Sequence, residues 1–174
     1  MSGRFFPAIQ SKKPTFSVEI SNLSCEILDD LVKQFTCQLE KLENSKYYLS
    51  FLFVLRRQLP LKADMAVVLD ATPRGGLKAI KFVNLKVRVC DALSTIKSNP
   101  LVSSISEQIA KCSNLPLRCP VKANILYNIS NMLIDKDIIP IYAPSLDYNF
   151  TFRFLEQNTK YGNVFVYGSV KRLG

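Results

Sequence analysis

Histidine is absent from the 174 residues. That omission removes the commonest general base, the imidazole metal ligand and every Ser-His or Cys-His nucleophilic pair. The glycine turn Arg74-Gly75-Gly76 lacks the spacing and the lysine of a phosphate-binding loop, and it reads as the turn of a hairpin. The side chains left with distinctive chemistry are Cys25, Cys37, Cys90, Cys112 and Cys119, and three asparagines in acceptor sequons: Asn22-Leu-Ser, Asn128-Ile-Ser and Asn149-Phe-Thr. Paired thiols and glycan acceptors both belong to an oxidising compartment. Reduced cysteines packed as small apolar side chains are the competing reading. No enzyme, cofactor or metal site is expected from this inventory.

The elements that hold these groups are mostly extended. Val83, Leu85, Val87 and Val89 alternate with Asn84, Lys86, Arg88 and Cys90, the period of a strand with one face in a core. Ser98-Asn99-Pro100 then supplies a helix start, and Leu101, Ile105, Ile109 and Cys112 recur at helical spacing as far as Ser113-Asn114 and Pro116. Cys119 opens the next strand. A Cys90–Cys119 bond would close this helical excursion onto the sheet and stabilise it by about 3 kcal/mol in the chain-entropy view.

Upstream, Phe16, Val18 and Ile20 alternate with polar residues, a bend is expected near Asn22, and Cys25 and Ile27 continue the strand. Phe35, Cys37 and Leu39 resume the alternation after Asp29-Asp30, so Cys25 and Cys37 are expected to face each other in one hairpin; a helix over 28–42 also fits the spacing. Tyr47 to Gln58 is apolar on both faces until Arg56, as a central strand would be. Met65, Val67 and Leu69 form a strand that pairs with the next across the Gly75-Gly76 turn. A strand over 121–132 carries Ile125, Tyr127 and Ile129. Pro140 confines 138–142 to an edge or loop. Tyr148, Phe150, Phe152 and Phe154 share one face, and the last strand sets Val164, Val166 and Val170 against Phe165, Tyr167 and Ser169. Seven to nine short antiparallel strands with one short helix predict an all-β, two-sheet sandwich over 15–174, preceded by a flexible 1–14 segment.

The formal charge is +9. Its cations are scattered, which suits a solvated surface or attraction to an acidic membrane or partner better than a nucleic-acid groove. No segment is long and uncharged enough to span a bilayer. Met1 to Lys13 lacks the apolar core of a secretory signal, against the direction given by the cysteines and sequons.

Asn22-Leu-Ser-Cys25, Cys37-Gln-Leu, Asn84 to Cys90 with Ala92-Leu93, Ser113-Asn114 to Cys119-Pro120, and Pro144-Ser-Leu-Asp147-Tyr148 occur here in an order that resembles an insect-expanded family of uncharacterised domains allied to the ML lipid-recognition proteins. The resemblance runs from about Phe16 to Val170. It implies an immunoglobulin-like (ML-like) β-sandwich, secretion, and a cavity between the sheets for a lipid or other small hydrophobic ligand; some relatives resemble chemosensory proteins, which would add a receptor as partner. Arg88 stands where the family often has an acid, and Cys112 is an extra cysteine. Four cysteines allow three pairings. The expectation adopted with the resemblance is Cys90 with Cys119 and Cys25 with Cys37.

On this reading Phe150, Phe152 and Phe154 line the cavity, with Phe51, Phe53 and Val67, then Leu69, Ile125, Tyr127 and Phe165. Lys78, Lys86 and Arg88 would hold an anionic headgroup at its rim or merely solvate an outer face. Asn22, Asn128 and Asn149 are the glycosylation candidates. A closed core serving as an extracellular protein-interaction module is the alternative, and a basic nucleic-acid-binding protein a more distant one.

Overall fold

The computed structural model describes residues 15–76, 78–95 and 103–174, with the side chains of 103–106 left aside. Strands β1 (Thr15–Ile27), β2 (Val32–Glu43), β3 (Lys46–Leu55), β4 (Asp64–Pro73), β5 (Ile80–Arg88), β6 (Tyr127–Ile134), β7 (Leu146–Glu156) and β8 (Thr159–Leu173) carry two helices, α1 (Val89–Thr95) and α2 (Ser103–Cys112), and one 3-10 turn at Lys136–Ile138. The strands make two antiparallel sheets, one ordered β1-β8-β7-β4-β5 and the other β2-β3-β6. The fold is an all-β sandwich, and β2 is a strand, which settles the helix-or-strand ambiguity over 28–42.

Three expectations need correction. First, β1 and β2 are not a hairpin. The Asp29 carboxylate accepts the Leu31 amide at 2.9 Å, and Leu31, 2% exposed, dives into the core. The chain thereby leaves the first sheet and starts the second. Cys25 and Cys37 still meet, Cα to Cα 5.9 Å, but their bond ties together the outer strands of the two layers. Second, Cys90 is not a strand residue. It is the second residue of α1, a helix that follows β5 directly, and it bonds Cys119 at a Cα separation of 5.4 Å. Third, the described residues form two helices where one was expected. The helix start assigned to Ser98-Asn99-Pro100 and the stripe residue Leu101 lie outside the described residues, as does the 1–14 segment.

Three buried clusters hold the layers together. Leu31, Val32, Leu55, Ala63, Val121, Tyr127 and Tyr161 close one end. Phe16, Tyr148 and Val170, with Ile139 and Ala143 packed against them, close the other. Ile20, Tyr47, Leu49 and Ile134, backed by Leu23 and Leu39, form the third, on the side where β1 adjoins β2. A bulge at Ile20/Asn22 switches the inward residues of β1 from Ile20 to Leu23, the bend anticipated near Asn22. Tyr148 latches the sheet: its hydroxyl donates to the Glu19 carbonyl at 3.1 Å. The latch needs a glycine at 168, because a Cβ there would run into the Glu19 carbonyl and stand 2.6 Å from the Tyr148 hydroxyl.

The edge of β6 is covered by side chains together with a single backbone bridge at Ser113–Ile129, where the Asn114 amide donates to the Asn128 carbonyl at 3.3 Å. Gln108 of α2 donates to the Leu133 carbonyl at 2.9 Å and accepts the Leu133 amide at 2.6 Å. Asn114 does the same one step along, donating to the Leu126 carbonyl at 2.8 Å and accepting the Asn128 amide at 2.7 Å. With that bridge, the two carboxamides satisfy backbone groups of Leu126, Asn128 and Leu133 that a fourth strand would have used.

Candidate functional site

The five-stranded sheet is wider than its partner. On its inward face the register sets Val67 beside Phe152 and Leu69 beside Phe150, then Val67 beside Leu85 and Leu69 beside Val83. Opposite, Phe51 pairs with Ile129 and Phe53 with Tyr127. With two more strands than the other layer, the larger sheet carries Leu85 and Ile80 on its outermost strand, 46% and 52% exposed.

The consequence is a lane with a graded interior. Phe35 and Phe154 meet edge to face at 6.4 Å and Phe53 stacks on Tyr127 at 5.2 Å, so aromatic contacts fill the end nearest Leu31. At the other end Phe150 packs against Tyr148, centroids 6.2 Å apart. Between them Phe150 and Phe152 stack at 5.7 Å, and Phe152, Val67, Val83, Val87, Met65 and Ile129 join none of the three buried clusters. Each of these six is half-buried. In a closed sandwich, the middle of the inward face would be its driest part.

Every inward position of β4, β5 and β7 named above is aliphatic, thioether or aromatic, so these strands bring no charged side chain into the lane. The Tyr127 hydroxyl is already used: it accepts the Lys122 amide at 2.9 Å. The lane can exclude water and offer dispersion contacts to an apolar molecule. Among the described residues no group of His, Cys, Asp or Glu is arranged to hold a metal ion.

Of the residues expected to line a cavity, Phe51, Phe53, Val67, Leu69, Tyr127, Phe150, Phe152 and Phe154 share the inter-sheet faces. Two do not. Phe165 pairs with Thr151 on the outer face, because its neighbours Val164 and Val166 take the inward positions. Ile125 precedes β6 in a loop and is 37% exposed.

The three rim candidates lie on β5 or just before it. Arg88 donates from Nε to Asp64 at 3.1 Å, and Lys86 lies 4.0 Å from the same carboxylate, both on the outer face of β5. With Leu61, Asp91 and the Cys90–Cys119 bridge they border an open groove of about 760 Å³, on the side of the sheet turned away from the lane. Lys78 is exposed in the connection before β5. Lys86 and Arg88 thus lie on the outer face, and Lys78 stands exposed where the chain enters the β5 edge. A smaller hollow of about 160 Å³ lies beneath α2, between Leu93, Ile109 and Leu115.

Asn22 and Asn149 are exposed on the outer face on either side of Tyr167, whereas Asn128 sits half-buried on the β6 edge beside Asn114. On that outer face Arg153 donates to Asn163 at 3.1 Å and Asn163 donates to Glu26 at 3.1 Å, a polar chain across β7, β8 and β1 that buries Asn163 to 5% exposure. Nothing in the local sequence signals that chain, because its members are distant until the strands pair. Two tyrosines have shifted hydroxyls. Burial, with Tyr47 and Glu19 adding to it, holds Tyr148 well above the usual tyrosine range. Burial and donation to Glu156 at 2.8 Å push Tyr161 up to about 12.

Residues 67–150 match a family described as "Protein of unknown function (DUF1091)". The matched stretch begins inside β4, takes in β5, both helices and β6, and ends early in β7. It therefore takes in Val67, Leu69, Val83 and Leu85 of the lane and both covering carboxamides, Gln108 and Asn114. No curated protein matches the chain.

Proposed function

We propose that this protein is a non-catalytic, secreted binding protein for a lipid or another small hydrophobic ligand, held between its two sheets. The observation that carries the reading is the half-buried, charge-free lane around Phe152 and Val67, flanked by three buried clusters. Each methylene buried there gains about 0.8 kcal/mol, so an acyl chain of eight carbons gains roughly 6 kcal/mol before the cost of association is subtracted. No charged anchor is needed for such a ligand.

Two disulfides support an oxidising destination, where such bonds persist. Among the described residues no helix is long and apolar enough to cross a membrane. The resemblance to ML lipid-recognition proteins suggests the same ligand class and extends the reading to a chemosensory or pheromone-related carrier. The deciding experiment is titration with a fluorescent fatty acid, using the oxidised protein and a Val67→Trp variant that fills the lane. Saturable binding, competed by unlabelled fatty acid and weakened more than tenfold in the folded variant, supports the carrier. Absence of saturable binding assigns the sandwich to a closed-core interaction module instead.

A further inference from the structure

The inward face of the larger sheet runs out to β5, and that strand has a composition of its own. Among the described residues strand β5 pairs only with β4, so it is one of the two edges of the larger sheet. Along it Ile80, Phe82 and Leu85 are 52%, 55% and 46% exposed. Phe82 is the extra residue of a bulge, since Leu69 faces Val83 while Asp70 faces Lys81. Bulges and lysines are the devices that stop an edge strand from recruiting another strand. Here they stand among exposed apolar side chains that a monomeric carrier would otherwise have reason to hide.

Lys78 and Lys81 are exposed beside these residues, and Lys86 and Arg88 follow on the same strand. Against these four cations the adjoining strand sets Asp64 and Asp70, and Asp64 is already engaged by Lys86 and Arg88. The edge keeps a positive balance on a chain of net charge +9. A second copy is a poor occupant, because pairing β5 with itself would bring the lysines of both copies together across a register broken by the bulge.

We infer that the β5 edge is a docking surface for an anionic lipid bilayer, with Ile80, Phe82 and Leu85 entering the headgroup layer and Lys78 and Lys81 meeting lipid phosphates and carboxylates. This rests on the carrier reading: a water-insoluble ligand must leave a membrane, and this edge brings the open side of the lane against one. Apolar side chains surrounded by lysine are the composition that binds an interface without spanning it.

The test is co-sedimentation of the full chain with vesicles of phosphatidylcholine, alone or mixed with phosphatidylserine. Wild type is expected to bind the mixed vesicles, to bind neutral ones less, and to be released by salt. Phe82→Asp and the double variant Lys78→Glu, Lys81→Glu should each lower partitioning by more than about tenfold, the latter from roughly fivefold per lysine near an anionic surface. Fatty-acid titration in solution, without vesicles, should be unchanged in Phe82→Asp. Vesicle binding that is absent, or equal in all three proteins, overturns the inference, and intact fatty-acid binding in the same preparation would show that the carrier reading survives it. Equal retention of wild type on polyglutamate and on mixed vesicles, insensitive to Phe82→Asp, also overturns it, in favour of an acidic protein partner.

Discussion

Phe152→Ala separates a lined cavity from a filled core. Truncating a fully buried phenylalanine costs about 3 to 5 kcal/mol, because transfer energy is lost and a cavity is left behind. Phe152 is half-buried, with Phe150 stacked on one side at 5.7 Å and Val67 beside it in register, and it belongs to none of the buried clusters. Because Phe152 is only half-buried, the expected cost is about half the full value, near 2 kcal/mol. For ligand affinity the change removes contact with roughly two methylenes, about 1.6 kcal/mol, or some fifteenfold. Two controls fix the scale. Leu31→Ala, at a site 2% exposed, should cost 2 to 5 kcal/mol and leave fatty-acid affinity alone. Phe165→Ala, on the outer face, should leave affinity alone as well. Urea denaturation and fluorescent fatty-acid titration on the same four proteins provide the readouts. If Phe152→Ala is as costly as a fully buried truncation and affinity is unmoved, the interior is solid and the lane does not exist.

Tyr148→Phe removes the hydroxyl that donates to the Glu19 carbonyl and should cost about 1 kcal/mol in urea denaturation. Gly168→Ala should cost more, since the added methyl meets the Glu19 carbonyl, a backbone atom that cannot swing aside. Replacing Cys25 and Cys37 together by alanine reopens a loop spanning 12 residues and should cost about 3 kcal/mol, a fall in Tm of roughly 6 to 12 °C by calorimetry. Alkaline pH should destabilise the protein. Both Tyr148 and Tyr161 are raised in the fold, so their contribution is whole below the unfolded tyrosine value of about 10. It is lost as pH rises through the folded values, because unfolding then releases protons the native state retains. Tyr148→Phe should flatten the stability curve above pH 10, measured by urea midpoints across the range.

The strands were legible where one face is buried and the other wet. Tyr148, Phe150, Phe152 and Phe154 announce β7, and Phe35, Cys37 and Leu39 announce β2, because period-two alternation is the direct imprint of a half-buried sheet. Position in the stack was less legible. Phe165 looks like any aromatic strand residue, and only counting from Val164 and Val166 shows that it faces outward. The strand over 121–132 blurred for a similar reason: β6 starts at Tyr127, and Asn131, at φ 56°, shifts the inward set from Tyr127 and Ile129 to Met132 and Ile134. The assignment of β1 and β2 to different layers depends on Leu31 sinking past a short turn, and nothing in Asp29-Asp30 distinguishes that from a hairpin. Gln108 and Asn114 were invisible as edge covers, since carboxamides become strand mimics only when β6 lies beside them. Most consequential, the unequal width of the two sheets is a property of pairing order, and it is this inequality that exposes Leu85 and Ile80 at the end of the lane.

Native mass spectrometry of the protein purified from an oxidising secretory host tests the inter-sheet ligand most directly. The predicted spectrum shows two disulfides and an added mass of a single apolar small molecule that is shed on denaturation, and a Val67→Trp preparation from the same host lacks that mass. An oxidised protein that carries no such adduct, and that takes up no fatty acid when it is offered, would contradict a binding lane between the sheets.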